Sequence, residues 1–470
     1  MIGRTEEQRI LHELAASREP EFVAVYGRRR VGKTYLIRET FDNNFFFSYT
    51  GIANIGAHKQ RLEFVKALRE HGWTAEEGSP NVSDNWFDAL RALRSLIIKA
   101  NTQGRLLIFI DEIPWMDNKK SDFVPALENF WNGWASGQKN IMLIVCGSAA
   151  AWITKKIFRN TGGLYNRITR QIALKPFTLA ECNEYFSSRG LIMNTQDLIE
   201  SYMIFGGIPY YLRLLEKRLS LALNVDAICF AEAAPLKHEF DRLMDTLFIN
   251  PLKYIDVLTV LHTKKQGMTR EVLARRISFG NGGNLTRILL ELEECGFIRR
   301  SIPFGKGKNG ALYYLADAFI AFHLSFIRDT KSENYWSSYL DNAGHRAWSG
   351  YAFEQVCLAH VNEIKRSLGI SGVHSDVSSW LSRGSDQGAQ IDLVIDRNDR
   401  VINICEIKFH KGPFEIDRAY DRALRNKIET FRSETKTRKA LHLTMISTYG
   451  IKPGKYASLV QAEVNMDEII

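Results

Sequence analysis

The sequence predicts an α/β protein whose N-terminal part is a parallel sheet covered by helices, and three observations carry that prediction. From residue 1 to about 189, short apolar and β-branched runs alternate with segments of helical periodicity, the order that gives parallel strands joined by helical crossovers. One strand-to-helix junction is glycine-rich, Gly27-Arg28-Arg29-Arg30-Val31-Gly32-Lys33-Thr34, and fits the pattern G-x-x-x-x-G-K-[ST]. A later apolar run, Leu106-Leu107-Ile108-Phe109-Ile110, ends in two carboxylates, Asp111 and Glu112.

The elements follow in order. Strands are expected over 22–26, 45–49, 106–110 and 141–146, and helices over 5–16, 33–41, 57–71, 84–100 and 121–136. From 190 to 250 the pattern is helical, interrupted by the turn Phe205-Gly206-Gly207-Ile208-Pro209. Short helices and then a hairpin, 297–301 and 311–315, fill 251–328. The polar stretch 329–346 reads as a linker. Beyond about 347 come a helix, three strands, a second helix and a further strand.

The glycine-rich junction states its own ligand. Gly27 and Gly32 let the backbone curl so that successive N–H groups face one point, and the following helix adds partial positive charge there. Lys33 is placed to reach the β- and γ-phosphates of a nucleoside triphosphate, while the Thr34 hydroxyl ligates magnesium. Arg28, Arg29, Arg30 and Val31 complete the loop. ATP with Mg²⁺ is the expected ligand pair.

Asp111 and Glu112 leave their strand at the carboxyl end, where ligands lie in open parallel sheets. Asp111 suits the magnesium shell, and Glu112 suits polarisation of a water aimed at the γ-phosphate. The two motifs, separated by room for one extra strand, resemble the AAA+ branch of P-loop ATPases. That resemblance implies an adenine-side role for Ile2-Gly3-Arg4 with Glu7, and a sensor role for Ser148 after the strand ending at Cys146. In Leu164-Tyr165-Asn166-Arg167-Ile168-Thr169-Arg170 it implies an arginine finger, Arg167 or failing that Arg170, acting between copies of the chain or with a protein partner. A solvated basic turn is the competing reading of both arginines. Arg213 is the only lid candidate for a second sensor.

In the middle module, helix 283–294 buries Leu285, Ile288, Leu289 and Leu292 on one face and is followed by the hairpin. This order resembles a winged helix-turn-helix, with Lys306 and Lys308 at the wing tip and Asn284, Arg287 and Glu291 on the exposed face of the recognition helix. DNA contact and protein docking are both open to such a module.

Near the C-terminus, Ile391-Asp392-Leu393-Val394-Ile395-Asp396 and Val401-Ile402-Asn403-Ile404-Cys405-Glu406-Ile407-Lys408-Phe409 read as a hairpin. Period two puts Glu406 and Lys408 on one face, with Asp392 on the adjacent strand and Glu354 available from an upstream helix. The set resembles the PD-(D/E)XK restriction-endonuclease-like superfamily. By that resemblance Asp392 and Glu406 bind a divalent metal and Lys408 positions water; a catalytically silent adaptor, with Lys408 paired to a carboxylate, is the alternative. Nearly the whole chain resembles prokaryotic and archaeal-type AAA+ ATPases carrying this C-terminal extension.

Composition narrows the classes. No apolar run is long enough to cross a bilayer, so no membrane role is expected. Six scattered cysteines without a C-x-x-C pair argue against a zinc site and fit a reducing, cytoplasmic setting. A net charge of +9 is compatible with nucleic acid as partner. The expected protein is an ATP hydrolase that couples nucleotide state to DNA binding or processing; a nucleotide-dependent switch or adaptor with an inactive nuclease-like domain is the alternative.

Overall fold

The computed structural model describes all of residues 1–470 except 76–83, 119–120, 149, 159–165, 281, 331 and 383–388. The chain divides into two compact units, Met1–Pro176 and Phe177–Ile470.

The first unit holds a five-stranded sheet of order β2-β3-β4-β1-β5, parallel throughout. Its strands are β1 (Glu21–Gly27), β2 (Phe47–Thr50), β3 (Leu106–Asp111), β4 (Ile141–Gly147) and β5 (Arg170–Leu174). β4 is fully buried from Ile141 to Cys146, as a central parallel strand covered on both faces must be. Since β4 lies between β1 and β3, the loop after β1 and the acids after β3 leave the sheet at the same edge, either side of Ser148.

Helices cover the sheet where their apolar faces allow. The helix Trp86–Ala100 starts two residues later than expected because the Asn85 side chain caps it, accepting the Asp88 N–H. Phe47, Phe64, Trp86 and Phe123 form a chain of edge-on rings at 5.3, 5.4 and 5.1 Å, which ties β2 to three helices.

The second unit opens with a capping box, Thr178 and Glu181, at the start of the helix Leu179–Ser188. The expected Gly-Gly turn is present. Gly206 ends the helix Thr195–Phe205 in the left-handed region, and a Cβ on Gly207 would stand 2.2 Å from the Phe177 carbonyl oxygen. Next come the helix Pro251–His262, β6 (Met268–Thr269), the helices Arg270–Ala274 and Gly283–Glu294, then β7 (Ile298–Ser301) and β8 (Leu312–Leu315). β6, β8 and β7 form a small antiparallel sheet, and Leu285, Ile288, Leu289 and Leu292 pack beneath it against Leu258 and Leu273.

The stretch 329–346 is not a linker. It contains the helix Tyr335–Tyr339, and Trp336 is completely buried among Phe322, Phe326 and Trp348. Asp226 accepts the Trp336 and Ser337 backbone N–H groups at 2.7 and 3.1 Å. Serines and asparagines give the segment a polar average, but aromatic side chains decide its packing. Trp336→Ala is expected to destabilise the second unit by about 3–5 kcal/mol, seen as unfolding at lower denaturant; an unchanged denaturation curve would show that the cluster contributes little.

The C-terminal sheet has the order β13-β12-β11-β10-β9. β9 (Ser375–Leu381), β10 (Gln390–Arg397) and β11 (Val401–Lys408) are antiparallel neighbours. β12 (Ala440–Ser447) and β13 (Ala462–Asn465) continue in parallel with β11. The helix Arg418–Thr435 supplies the crossover that a parallel pair requires. β13 is an addition to the expected elements, too short and polar to signal itself.

Candidate nucleotide site and a second polar cluster

The crevice at the carboxyl edge of the first sheet is built from four local conformations. β1 ends at Gly27, with φ +147°, where a Cβ would lie 2.3 Å from the Leu174 carbonyl oxygen, so only glycine lets the loop pass β5. Arg30 and Gly32 also have positive φ, 73° and 92°, which turns the loop into the helix Lys33–Thr40. Arg4, buried, donates to the Lys175 carbonyl at 2.7 Å and reaches the Val31 carbonyl at 3.4 Å, so the N-terminal segment braces the loop from outside. Glu112 leaves β3 in the left-handed region at φ 48°, which separates its side chain from that of Asp111.

Lys33 folds back over the loop, its Nζ donating to the carbonyls of Gly27 at 3.1 Å and Arg28 at 3.0 Å. Burial lowers its pKa, while Cys146, Glu112 and Asp111 act in the opposite direction. The Thr34 hydroxyl donates to Asp111 Oδ2 at 2.7 Å. Asp111 is buried, and its Oδ1 accepts the Glu112 N–H at 2.9 Å. A hydroxyl and a carboxylate converging on one point form an oxygen donor pair of the kind a hard divalent cation takes. Across the crevice, Glu112 accepts from Ser148 twice, from Oγ at 2.5 Å and from N at 3.2 Å.

Other sequence candidates fall in both units. Within the loop Arg28 and Val31 are buried, Arg29 and Arg30 half-buried. Arg167 and Arg170 are exposed at the start of β5; Leu164 and Tyr165, in the same motif, lie outside the described residues. Arg213 stacks on the Tyr210 ring at 4.7 Å.

The C-terminal carboxylates form a second cluster. Since Leu393 pairs with Cys405, one further step along the hairpin brings Asp392 opposite Glu406. Glu406 is buried; its Oε1 accepts from the Tyr420 hydroxyl at 2.5 Å and faces Lys408 Nζ at 3.2 Å, and its Oε2 accepts from Lys427 Nζ at 2.7 Å. Burial acts to raise its pKa, but Lys427 and Lys408 with these hydrogen bonds outweigh burial and hold it below the usual carboxylate range. Asp392 accepts from Gln390 Nε2 at 2.6 Å and is pushed up by burial. Glu354 is pushed up to about 8 by burial, then by the Asp392 charge.

Both Glu406 oxygens are thus engaged by cations and a phenol. Among the described residues, no group of three or more His, Cys, Asp or Glu could hold a metal ion. A cation shared by Asp392 and Glu406 would have to displace Lys408, Lys427 and Tyr420 from these oxygens. Tyr420 and Lys427 were not among the sequence candidates; the available signal was their spacing of seven on one amphipathic helix, which puts both on one face.

The expected exposed face of the helix Gly283–Glu294 is a closed network. Arg287 donates to Asn284 Oδ1 at 2.8 Å, to Glu291 Oε2 at 3.0 Å and to the Tyr254 hydroxyl at 3.0 Å, and that hydroxyl bonds Glu291. The Lys308 side chain lies outside what the structure describes.

Comparison with known proteins reaches beyond the first unit. Residues 1–215 match the model of an ATPase domain found predominantly in Archaea. An uncharacterized protein of Methanocaldococcus jannaschii is 25% identical over 419 residues, 87% of each chain. Among solved structures, the Walker-type ATPase of Pyrococcus abyssi aligns with 17% identity and a TM-score of 0.48, over 69% of this chain and 96% of that one. The Aeropyrum pernix ORC2 protein aligns with 14% identity and a TM-score of 0.43, over 69% and 92%. The domain match and the loop geometry agree: the N-terminal part of the chain is a nucleotide-binding P-loop domain of the ATPase type.

Proposed function

We propose that the protein is a magnesium-dependent ATP hydrolase that couples its nucleotide state to nucleic-acid binding by its C-terminal half. The observation that carries the hydrolytic part is the convergence of Lys33, the Thr34–Asp111 pair and the Ser148–Glu112 pair on one crevice. In this reading Lys33 exchanges its two carbonyl partners for the β- and γ-phosphates. Thr34 and Asp111 would hold Mg²⁺, which would supply neutralisation of phosphate charge. Arrival of the γ-phosphate competes for the Ser148 hydroxyl and releases Glu112 to accept a proton from the attacking water. The exposed Arg167 suits a finger acting on the site of a second copy or a partner; it contributes little to a monomer's turnover.

For the C-terminal half, the antiparallel β6–β8–β7 sheet beneath the helix Gly283–Glu294 supports a winged helix-turn-helix, and the β9–β13 sheet with its E-x-K edge supports a restriction-endonuclease-like domain. Glu406's cationic partners favour the reading in which this domain binds without cutting. The self-bonded Asn284–Arg287–Glu291 face engages the donors of Arg287 internally, which argues against its reading of base edges. Titration of labelled DNA at several salt concentrations tests the nucleic-acid part. Affinity is expected to fall linearly on a log–log plot as salt rises; no affinity even at low ionic strength would remove nucleic acid from the function.

A further inference from the structure

We infer that the cleft between the β7–β8 hairpin and the β9–β10 edge of the C-terminal sheet is a phosphate subsite for a single nucleic-acid strand, with Arg299 as its anchor. The inference rests on the nucleic-acid reading above and adds to it where the strand lies. The cleft is lined by Lys265, Gln266 and Arg299 together with Glu354, Gln390 and Asp392.

The hairpin is fixed against the sheet, so the cleft has a defined width. Gln266 donates to Gln390 at 3.0 Å, the Phe304 N–H donates to the Ser379 carbonyl at 2.7 Å, and Phe304 packs on Phe431 at 5.1 Å. Into this cleft the fold sinks a guanidinium with neutral partners. Arg299 donates to Gln355 Oε1 at 3.3 Å and lies over the Tyr314 ring at 5.1 Å; among the described residues no carboxylate stands within ion-pair distance of it. Burial lowers its pKa, with only the Tyr314 and Tyr351 phenols acting the other way. Arg299 is half-buried, and a partly desolvated cation facing only a carboxamide and a ring is left open to an anion that completes it. A planar five-donor fork in that position matches a phosphate oxyanion pair.

Lys265 adds a second cation at the mouth, over the Tyr351 ring at 5.0 Å. Lys264 and Lys306, both exposed, extend positive charge beyond the cleft. Charge continuing outside the pocket suits successive phosphates of a strand, which a free nucleotide lacks. Asp392 and Glu354, which also line the cleft, place the strand's anchored phosphate beside the C-terminal polar cluster.

The test uses the full-length protein and a short fluorescein-labelled single-stranded DNA in EDTA, read by anisotropy across salt concentrations. Arg299→Gln is expected to weaken binding about tenfold and to flatten the log–log salt slope by about 0.7, the loss of one single-strand phosphate contact. Arg299→Lys, which keeps the charge but loses the fork, should restore the salt slope while recovering only part of the affinity, a split that a purely structural arginine would not produce. Lys265→Gln, at the rim and without buried polar contacts to break, should weaken binding several-fold, and it decides the matter if Arg299→Gln lowers the melting midpoint. Wild-type affinity in both Arg299→Gln and Lys265→Gln would overturn the inference while leaving nucleic-acid binding in place. A mononucleotide that competes as well as the oligonucleotide would overturn the strand in favour of a free nucleotide. Failure of the wild type to bind DNA at all would instead remove the reading on which the inference stands.

Discussion

Lys33→Ala is expected to lose nucleotide affinity by at least about 30-fold, because it removes a charge-assisted contact worth roughly 2–3 kcal/mol to the phosphates. The ammonium sits above the loop, bonded to the Gly27 and Arg28 carbonyls, in the position a phosphate chain would take from it. Calorimetric titration with ATP checks this directly. Wild-type affinity in a folded Lys33→Ala protein would show that the glycine-rich loop is not the phosphate cradle.

Glu112→Gln is expected to leave ATP binding intact while lowering turnover by about 10²–10⁴-fold, the usual contribution of a general base. The amide keeps the size of the side chain and can still accept the Ser148 hydroxyl, found at 2.5 Å from Glu112 Oε1, but it cannot take a proton from water. Asp111 bonds Thr34, and under the proposed function the pair would hold magnesium, so Asp111→Asn should weaken magnesium-dependent binding as well. Phosphate-release assays on the two variants separate the roles. Equal turnover in wild type and Glu112→Gln would move the base to another residue.

Much of the first unit is legible in the sequence because its signals are local. A buried parallel strand is a continuous apolar run, and β1, β3 and β4 announce themselves that way. The loop's glycines mark positive φ or close backbone approach, both of which are found at Gly27. The proximity of Thr34 to Asp111 and of Glu112 to Ser148 follows from strand order, since three strands ending at one edge bring their following residues together.

What stays hidden depends on distant partners or on averaging. Tyr254 closes the network of Arg287 and Glu291 from 33 residues upstream of Arg287, which no pattern within the helix Gly283–Glu294 can reveal. Tyr420 and Lys427 meet Glu406 only after the crossover helix returns across the sheet. The stretch 329–346 has the composition of a linker because its polar residues outnumber the aromatics, although Trp336 alone commits it to the core. Arg299 carries no motif; its meaning comes from the cleft that encloses it.

Coupling requires that ATP occupancy of the P-loop govern how the C-terminal half holds nucleic acid. The most direct test compares the DNA affinity of Glu112→Gln, locked with ATP and magnesium, with that of the same protein free of nucleotide. Coupling of the usual 1–3 kcal/mol would appear as a change of about 5- to 150-fold between the two states. Identical affinities in both states, with ATP shown to be bound, would contradict it.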